Sequence, residues 1–179
     1  MRTLILSIEA EFRRHQTIAE RALAQVAEEQ LTAPGPGDGS SLATIVWHIA
    51  GNLRSRFTDF LTTDGEKPWR HREEEFERRV VTREDLEKRW ADGWKILLDT
   101  LASLTDADLA RTVTIRRQEL AVHQALHRSL AHISYHVGQI VYIAKAWCGS
   151  DWAYLSIPPG QSEAYNRHPT LEKPSATHQ

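Results

Sequence analysis

A single cysteine, Cys148, stands among 179 residues. That excludes an intrachain disulfide and a cysteine-rich metal site, and it suits a reducing compartment. Neither sign of charge is in excess: 22 lysines and arginines face 24 acids, for a net charge of −2. Pairs such as Arg54/Arg56 and Arg116/Arg117 are diluted by nearby acids, so no nucleic-acid partner is expected. No stretch approaches the roughly 20 apolar residues of a membrane span, so no membrane partner is expected either. The short apolar run at residues 4–8 meets Glu9 and Glu11 at once, which does not suit a secretory signal. A cytoplasmic location is the expectation. Also missing are a G-x-S-x-G nucleophile motif, a phosphate loop and a dinucleotide fingerprint. Cys148 follows an aromatic residue at a helix end, with no local feature that would make it a reactive thiolate.

What is present is an ordinary globular balance, 41% hydrophobic and 26% charged, with nine histidines and six tryptophans. The length suits one domain, expected over residues 1–166, with a flexible tail over 167–179. Residues 3–31 are rich in Ala, Glu, Arg and Leu and predict a helix, ended by Pro34, Gly35, Pro36, Gly37 and Gly39. Ser40 or Ser41 can cap a second helix over 42–61, where Leu42, Ile45, Val46, Ile49, Leu53, Phe57 and Phe60 recur at spacings of three and four. Residues 62–81 are polar and charged and read as a long connection. Thr82 and Asp85 resemble a capping box opening a third helix over 83–104, in which Trp90 and Trp94 suit core packing. Residues 113–115 are β-branched and extended, too short to build a sheet alone. A fourth helix is expected over 120–147, ended by Gly149 and Ser150. The tail holds Trp152, Tyr154, Leu155 and Ile157 and should pack over the bundle, fraying from residue 169. The expected fold is all-α, a four-helix bundle with a long crossover connection and an ordered C-terminal tail.

Bundles build metal sites from side chains on facing helices, which gives the histidines a geometry to meet. The fourth helix holds two pairs at i, i+4, His123/His127 and His132/His136. Either pair shares a helical face and could fill two adjacent positions around one ion. The apolar stripe of Val122, Leu126, Ile133, Val137, Ile140 and Ala144 separates them, so periodicity does not choose. Ala125, Ser129, Gln139 and Ile143 give the His132/His136 shoulder the character of a half-buried pocket, leaving the other pair as surface histidine. His48, on a shoulder of the second helix beside Ser41, Asn52, Ser55 and Asp59, is the third candidate. A core-edge histidine bonded to a neighbour is its alternative role. His15, His71, His168 and His178 lie in polar stretches and are expected to be solvated. Ile133 follows His132 where H-E-x-x-H would need Glu, so this is not a zincin motif.

The segments Ile45-Val46-Trp47-His48-Ile49-Ala50-Gly51-Asn52 and His132-Ile133-Ser134-Tyr135-His136-Val137-Gly138-Gln139 together resemble the DinB/YfiT-like superfamily of metalloenzymes. Asp64-Gly65-Glu66-Lys67-Pro68-Trp69 and Leu155-Ser156-Ile157-Pro158 are similar to an uncharacterised bacterial branch of it, a domain of unknown function. The resemblance spans about residues 1 to 166. It implies a four-helix bundle with a long crossover, often a homodimer, and a divalent metal on His48, His132 and His136. Relatives include S-transferases that use a low-molecular-weight thiol, a maleylpyruvate isomerase and amide hydrolases.

Three imidazoles leave coordination positions for water or substrate, with Zn first and Ni next among the metals that suit them. Ring orientation needs hydrogen-bond partners, for which Asn52, Tyr135 and Gln139 are the candidates. The expected function is a metal-dependent enzyme acting on a small-molecule substrate, of thiol transferase or hydrolase type. The competing expectation is a non-catalytic bundle that binds metal or ligand in stress response. No general base stands out in the sequence.

Overall fold

The structure, a computed structural model, describes residues 1–172. Four long helices dominate: α1 (Thr3–Leu23), α3 (Leu42–Phe57), α4 (Arg83–Ser103) and α5 (Val122–Cys148). Two short ones, α2 (Glu28–Thr32) and α6 (Ser162–Asn166), flank them. The most extensive packing is within two helix pairs, α3 against α4 and α1 against α5, while α3 and α5 meet across a smaller seam. Apolar faces fill the interior: Phe12 from α1, Ile49 and Leu53 from α3, Trp94 and Leu97 from α4, Leu126 and Ile140 from α5 are all fully buried. At Gly93 the α3–α4 pair comes very close, since a Cβ there would lie 2.8 Å from the Ala50 Cα. Trp90 is buried as well, its Nε1 donating to Glu20 of α1 at 3.0 Å.

Three departures from the sequence expectation have local causes. The first helix stops at Leu23 rather than running to 31, because Val26 and Leu31 turn inward as separate core residues. Arg83 donates to the freed carbonyls of Leu23 and Val26, at 3.1 and 2.6 Å, which satisfies groups a helix end leaves open. The second helix ends at Phe57, four residues early, where Asp59 takes a left-handed φ of 49° and its carbonyl accepts from Thr62 and Thr63. At the start of that helix the Ser41 hydroxyl accepts from the Thr44 amide, so of the two serines it is Ser41 that caps.

The largest departure is a β-hairpin, which makes the fold mostly helical rather than all-α. Strand β1 (Thr112–Ile115) pairs antiparallel with β2 (Gln118–Ala121), Thr112 opposite Ala121 and Ile115 opposite Gln118. The two-residue loop between them, Arg116 and Arg117, has φ of 53° and 61°, a conformation that favours Asn-Gly over arginine. Asp64 holds it in place: its carboxylate accepts from the backbone amides of Arg116 and Arg117 at 2.8 and 2.7 Å. Gly65 adds a backbone bond to Thr114 at 2.8 Å. The segment between α3 and α4 is thereby tied to the hairpin. It then makes a 3-10 turn, Glu73–Phe76, folded against α3. Part of the expected flexible tail, residues 173–179 with His178, lies outside the described residues.

Candidate metal centre

The seam between α3 and α5 is where the histidines meet. His48 sits in mid-α3 and is 4% exposed, while His132 and His136, one turn apart on α5, are half-buried. One donor nitrogen from each lies within 4.8 Å of the other two. The His132 Nε2 is 3.1 Å from the Nε2 of His48 and 3.1 Å from the Nε2 of His136. Two nitrogens bound tetrahedrally at 2.0–2.1 Å from one ion would stand about 3.3 Å apart, so the spacing is that of a shared cation.

The outer ring nitrogens decide which way the lone pairs face. A carboxylate can only accept, so the His48 Nδ1 donates to Glu75 Oε2 at 2.9 Å, and its Nε2 is left bare. The His136 Nδ1 donates to Gln139 Oε1 at 2.7 Å, with the same result. Both lone pairs point toward His132. Its own Nδ1 is buried without a partner among the described residues. With its Nδ1 unpartnered, His132 is free to turn its Nε2 lone pair inward as well, and a cation is the ligand such a donor set fits. This buried three-histidine cluster can hold a metal ion.

Glu75 is the member of the site that the sequence did not reveal. It is 5% exposed, although Glu73 and Glu74 beside it are exposed. Arg70 grips it with two bonds of 2.8 Å, Nε to Oε1 and Nη2 to Oε2. Burial pushes the Glu75 carboxyl up, but the hydrogen bonds from Arg70 and His48 outweigh it and hold it below its ordinary range. Gly51, one turn beyond His48, makes the room: a Cβ there would lie 2.1 Å from Glu75 Oε1. Phe76 lays its ring against His48 with centroids 4.7 Å apart. The residue types that orient a metal-bound histidine are carboxylate, carbonyl or water, and Glu75 fits that role for His48.

Of the other supporting candidates, Gln139 contacts His136 directly. Tyr135 is 65% exposed, packs edge-on to the His136 ring at 5.0 Å, and reaches only Gln139. Asn52 lines the adjoining cavity and bonds to none of the three rings among the described residues. The second pair on α5 joins no such cluster among the described residues. His123 and His127 are exposed, and the His123 Nδ1 donates to the Leu109 carbonyl at 2.9 Å. His15 donates to Glu11 of its own helix, and His71 and His168 are exposed.

Burial, then the neighbouring His136 and His48, then Arg70 and Arg56, push His132 down to about 3. His136 is lowered too, by burial first, against the opposing bond to Gln139. Neutral rings are the form that binds metal. A pH dependence follows for the metal-free protein. Below about pH 6.5 the unfolded chain protonates His132 while the native state does not, so ν is larger in the unfolded state and stability falls as pH falls. The loss should run from pH 6.5 toward 3. Thermal melts of the chelator-treated protein at pH 7.5 and 5 test it, and equal midpoints would contradict the depressed value.

A cavity of about 220 Å³ opens beside the cluster, with His48 and His132 in its wall. Ala125 and Ser129, from the same shoulder of α5, line it with Phe57 and Phe60 of the neighbouring segment.

Comparison with known families places residues 2–161 under the model described as protein of unknown function (DUF1572). The chain belongs to that family. No curated protein matches it. That description carries no chemistry, which has to come from the side chains. No helix among the described residues is long and apolar enough to cross a membrane.

Proposed function

We propose that this protein is a metal-dependent enzyme acting on a small molecule, its divalent ion held by His48, His132 and His136. The observation that carries this is the cavity: two of the three clustered histidines, His48 and His132, stand in the wall of an accessible pocket rather than in a closed, dry shell. A structural metal is usually enclosed by four protein ligands, whereas three histidines leave room for a reactant. When bound, Zn²⁺ or Ni²⁺ would supply a Lewis acid that makes a water or a thiol more acidic. The protein's own groups do the rest. Glu75 fixes the tautomer and the angle of His48, Arg70 keeps Glu75 ionised, and Gln139 does for His136 what Glu75 does for His48.

Thiol transfer is favoured over hydrolysis by the lack of a base. No carboxylate among the described residues lines the cavity, and both Glu75 oxygens are engaged. A bound ion would acidify either reactant, but a thiol with an ordinary pKa of about 8.5 starts far closer to neutral pH than water and needs less of that help. A low-molecular-weight thiol as co-substrate therefore suits the site.

The test begins with elemental analysis of freshly purified protein. Chelation should lower the melting temperature by roughly 5–10 °C, taking about 2.7 kcal/mol for an ion at a hundredfold its Kd and about 2–4 °C per kcal/mol at this length. Zn²⁺ or Ni²⁺ should restore it. Low-molecular-weight thiols are then screened against model electrophiles. Metal without turnover of any pair would leave the non-catalytic binding bundle as the function, and absence of both metal and shift would remove the site.

We propose also that the chain forms a homodimer. Tyr135 and Tyr142 stand two turns apart on α5, 65% and 68% exposed, with open space at Gly138 between them. Leu4 and Leu6 on α1 are exposed too. Light scattering at micromolar concentration should give twice the 20.4 kDa of one chain, and a mass of one chain would defeat the proposal.

A further inference from the structure

Apart from the two histidines, the ionisable groups in the wall of the cavity carry charge of one sign. Around His48 and His132 stand Arg56, Arg70, Arg116 and Arg128, with Ser129 among them and with Arg72, which pairs with Glu73. The acids nearest to these arginines are outnumbered. Glu66 accepts from both Arg56 and Arg116, at 3.2 and 2.7 Å, and Glu75 is shared between Arg70 and His48. Arg128 has no acidic partner among the described residues. Burial, and the nearby Arg70 and Arg116, lower the pKa of Arg56 against the pull of Glu66, the mark of cations held close without enough compensation.

Two buried polar atoms here lack partners. The Arg70 side chain is 3% exposed, and while its Nε and Nη2 hold Glu75, its Nη1 bonds to nothing among the described residues. The Ser129 hydroxyl, one turn before His132 and in a residue 8% exposed, is likewise unsatisfied. Buried donors without partners are costly, and in native proteins they point to a missing ligand or water. Arg116 is brought to the cavity by a left-handed turn that arginine does not prefer, held there by Asp64. Strain of that kind gathers at binding sites.

We propose that this cavity binds the anionic group of the substrate, a carboxylate or phosphate, so that the metal centre acts on a small acid. Guanidinium groups and a hydroxyl are the donors that recognise such oxygens, and the planar fork of arginine matches both anions. At about 220 Å³ the space is below the roughly 300 Å³ at which drug-sized pockets begin, so the substrate is a molecule of a few carbon atoms. This assignment rests on the metalloenzyme proposal, with the electrophile or the thiol carrying the anion.

Calorimetry on the metal-loaded protein tests it, with succinate and inorganic phosphate as probes and succinamide as the neutral control. One of the two anions should bind at millimolar concentration or below, and which one binds distinguishes carboxylate from phosphate. Succinamide should bind at least tenfold more weakly. Arg128→Ala should weaken the anion at least tenfold while metal content stays at the wild-type level, and Arg128→Lys should recover part of the loss. Repeating the titration after chelation separates the two proposals. Anion binding that depends on Arg128 and persists after chelation supports the anion pocket independently of the ion, whereas failure of the freshly purified protein to hold or take up metal removes the metal centre alone. Binding that survives Arg128→Ala but vanishes on chelation shows an anion held by the ion alone and overturns the pocket. Equal binding of succinate and succinamide, or binding of neither anion, overturns it too.

Discussion

His132→Ala, His136→Ala and His48→Ala are each expected to abolish tight binding of a divalent ion, while His123→Ala and His127→Ala leave it nearly unchanged. Each of the first three removes one of three converging nitrogens, and the central position of His132, 3.1 Å from both neighbours, makes it the most damaging loss. The other two residues are exposed elsewhere on α5, and the His123 Nδ1 is committed to the Leu109 carbonyl. Metal titration on five single variants reads this directly. If His123→Ala lost the ion and His132→Ala kept it, the cluster at the α3–α5 seam would not be the metal centre. The size of the effect follows from ligand count: two imidazoles on one helix define only an edge of a coordination shell, and the facing helix must complete it.

Glu75→Ala should be the most damaging change outside the three histidines. It strands the Arg70 guanidinium in a setting where the side chain is 3% exposed, and removing one partner of a buried pair typically costs about 3–5 kcal/mol. It also frees the His48 ring, and losing the partner that orients a metal-bound histidine typically costs about 10–100-fold in metal affinity. Glu75→Gln separates the two effects. The amide keeps the shape and can accept from His48, so it should retain more stability than alanine, yet it loses the charge that Arg70 requires. Gly51→Ala offers an independent route, since its Cβ would strike the Glu75 carboxylate while touching neither His48 nor Arg70 chemically. Denaturant melts with and without metal check all three. Wild-type stability and wild-type metal affinity in Glu75→Ala would show that the carboxylate supports nothing.

The parts of this site that could be read from the sequence are those that lie on periodic helices. Spacing alone put His48 on a shoulder of α3 and two histidine pairs on opposite shoulders of α5, and it left the choice between the pairs open. The residues flanking His132 and His136 pointed to that pair, and the resemblance of the two histidine segments to a known superfamily strengthened the choice. Arg70 and Glu75 lie instead in the charged stretch between α3 and α4, where no period tells which side chain faces inward. Glu75 ends a run of three glutamates that looks uniformly solvated, and only tertiary contact singles out the third. A usable signal did exist in Gly51: a glycine one turn from His48 on an otherwise apolar buried helix marks a close approach by something. The hairpin was hidden for a different reason. Its loop is Arg-Arg where the expected signature is Asn-Gly, and the group that stabilises the loop, Asp64, lies about 50 residues earlier. The basic pair at 116 and 117 looked diluted by acids in sequence, yet the fold brings Arg116 together with Arg56, Arg70 and Arg128 around one cavity.

The span of chain between His48 and His132 is 84 residues, and an ion joining them would close that whole length into a loop. In polymer terms it would be a reversible crosslink. If it constrained the unfolded chain as a covalent bridge does, a loop of this length would contribute about 4.5 kcal/mol through chain entropy alone. The crosslink would fall where the bundle is least knit together, across the seam between the α3–α4 pair and the α1–α5 pair. A chain with one cysteine cannot place a disulfide there. Withdrawal of the ion should therefore loosen the two halves from each other before either half melts, and amide exchange should rise first along the facing sides of α3 and α5.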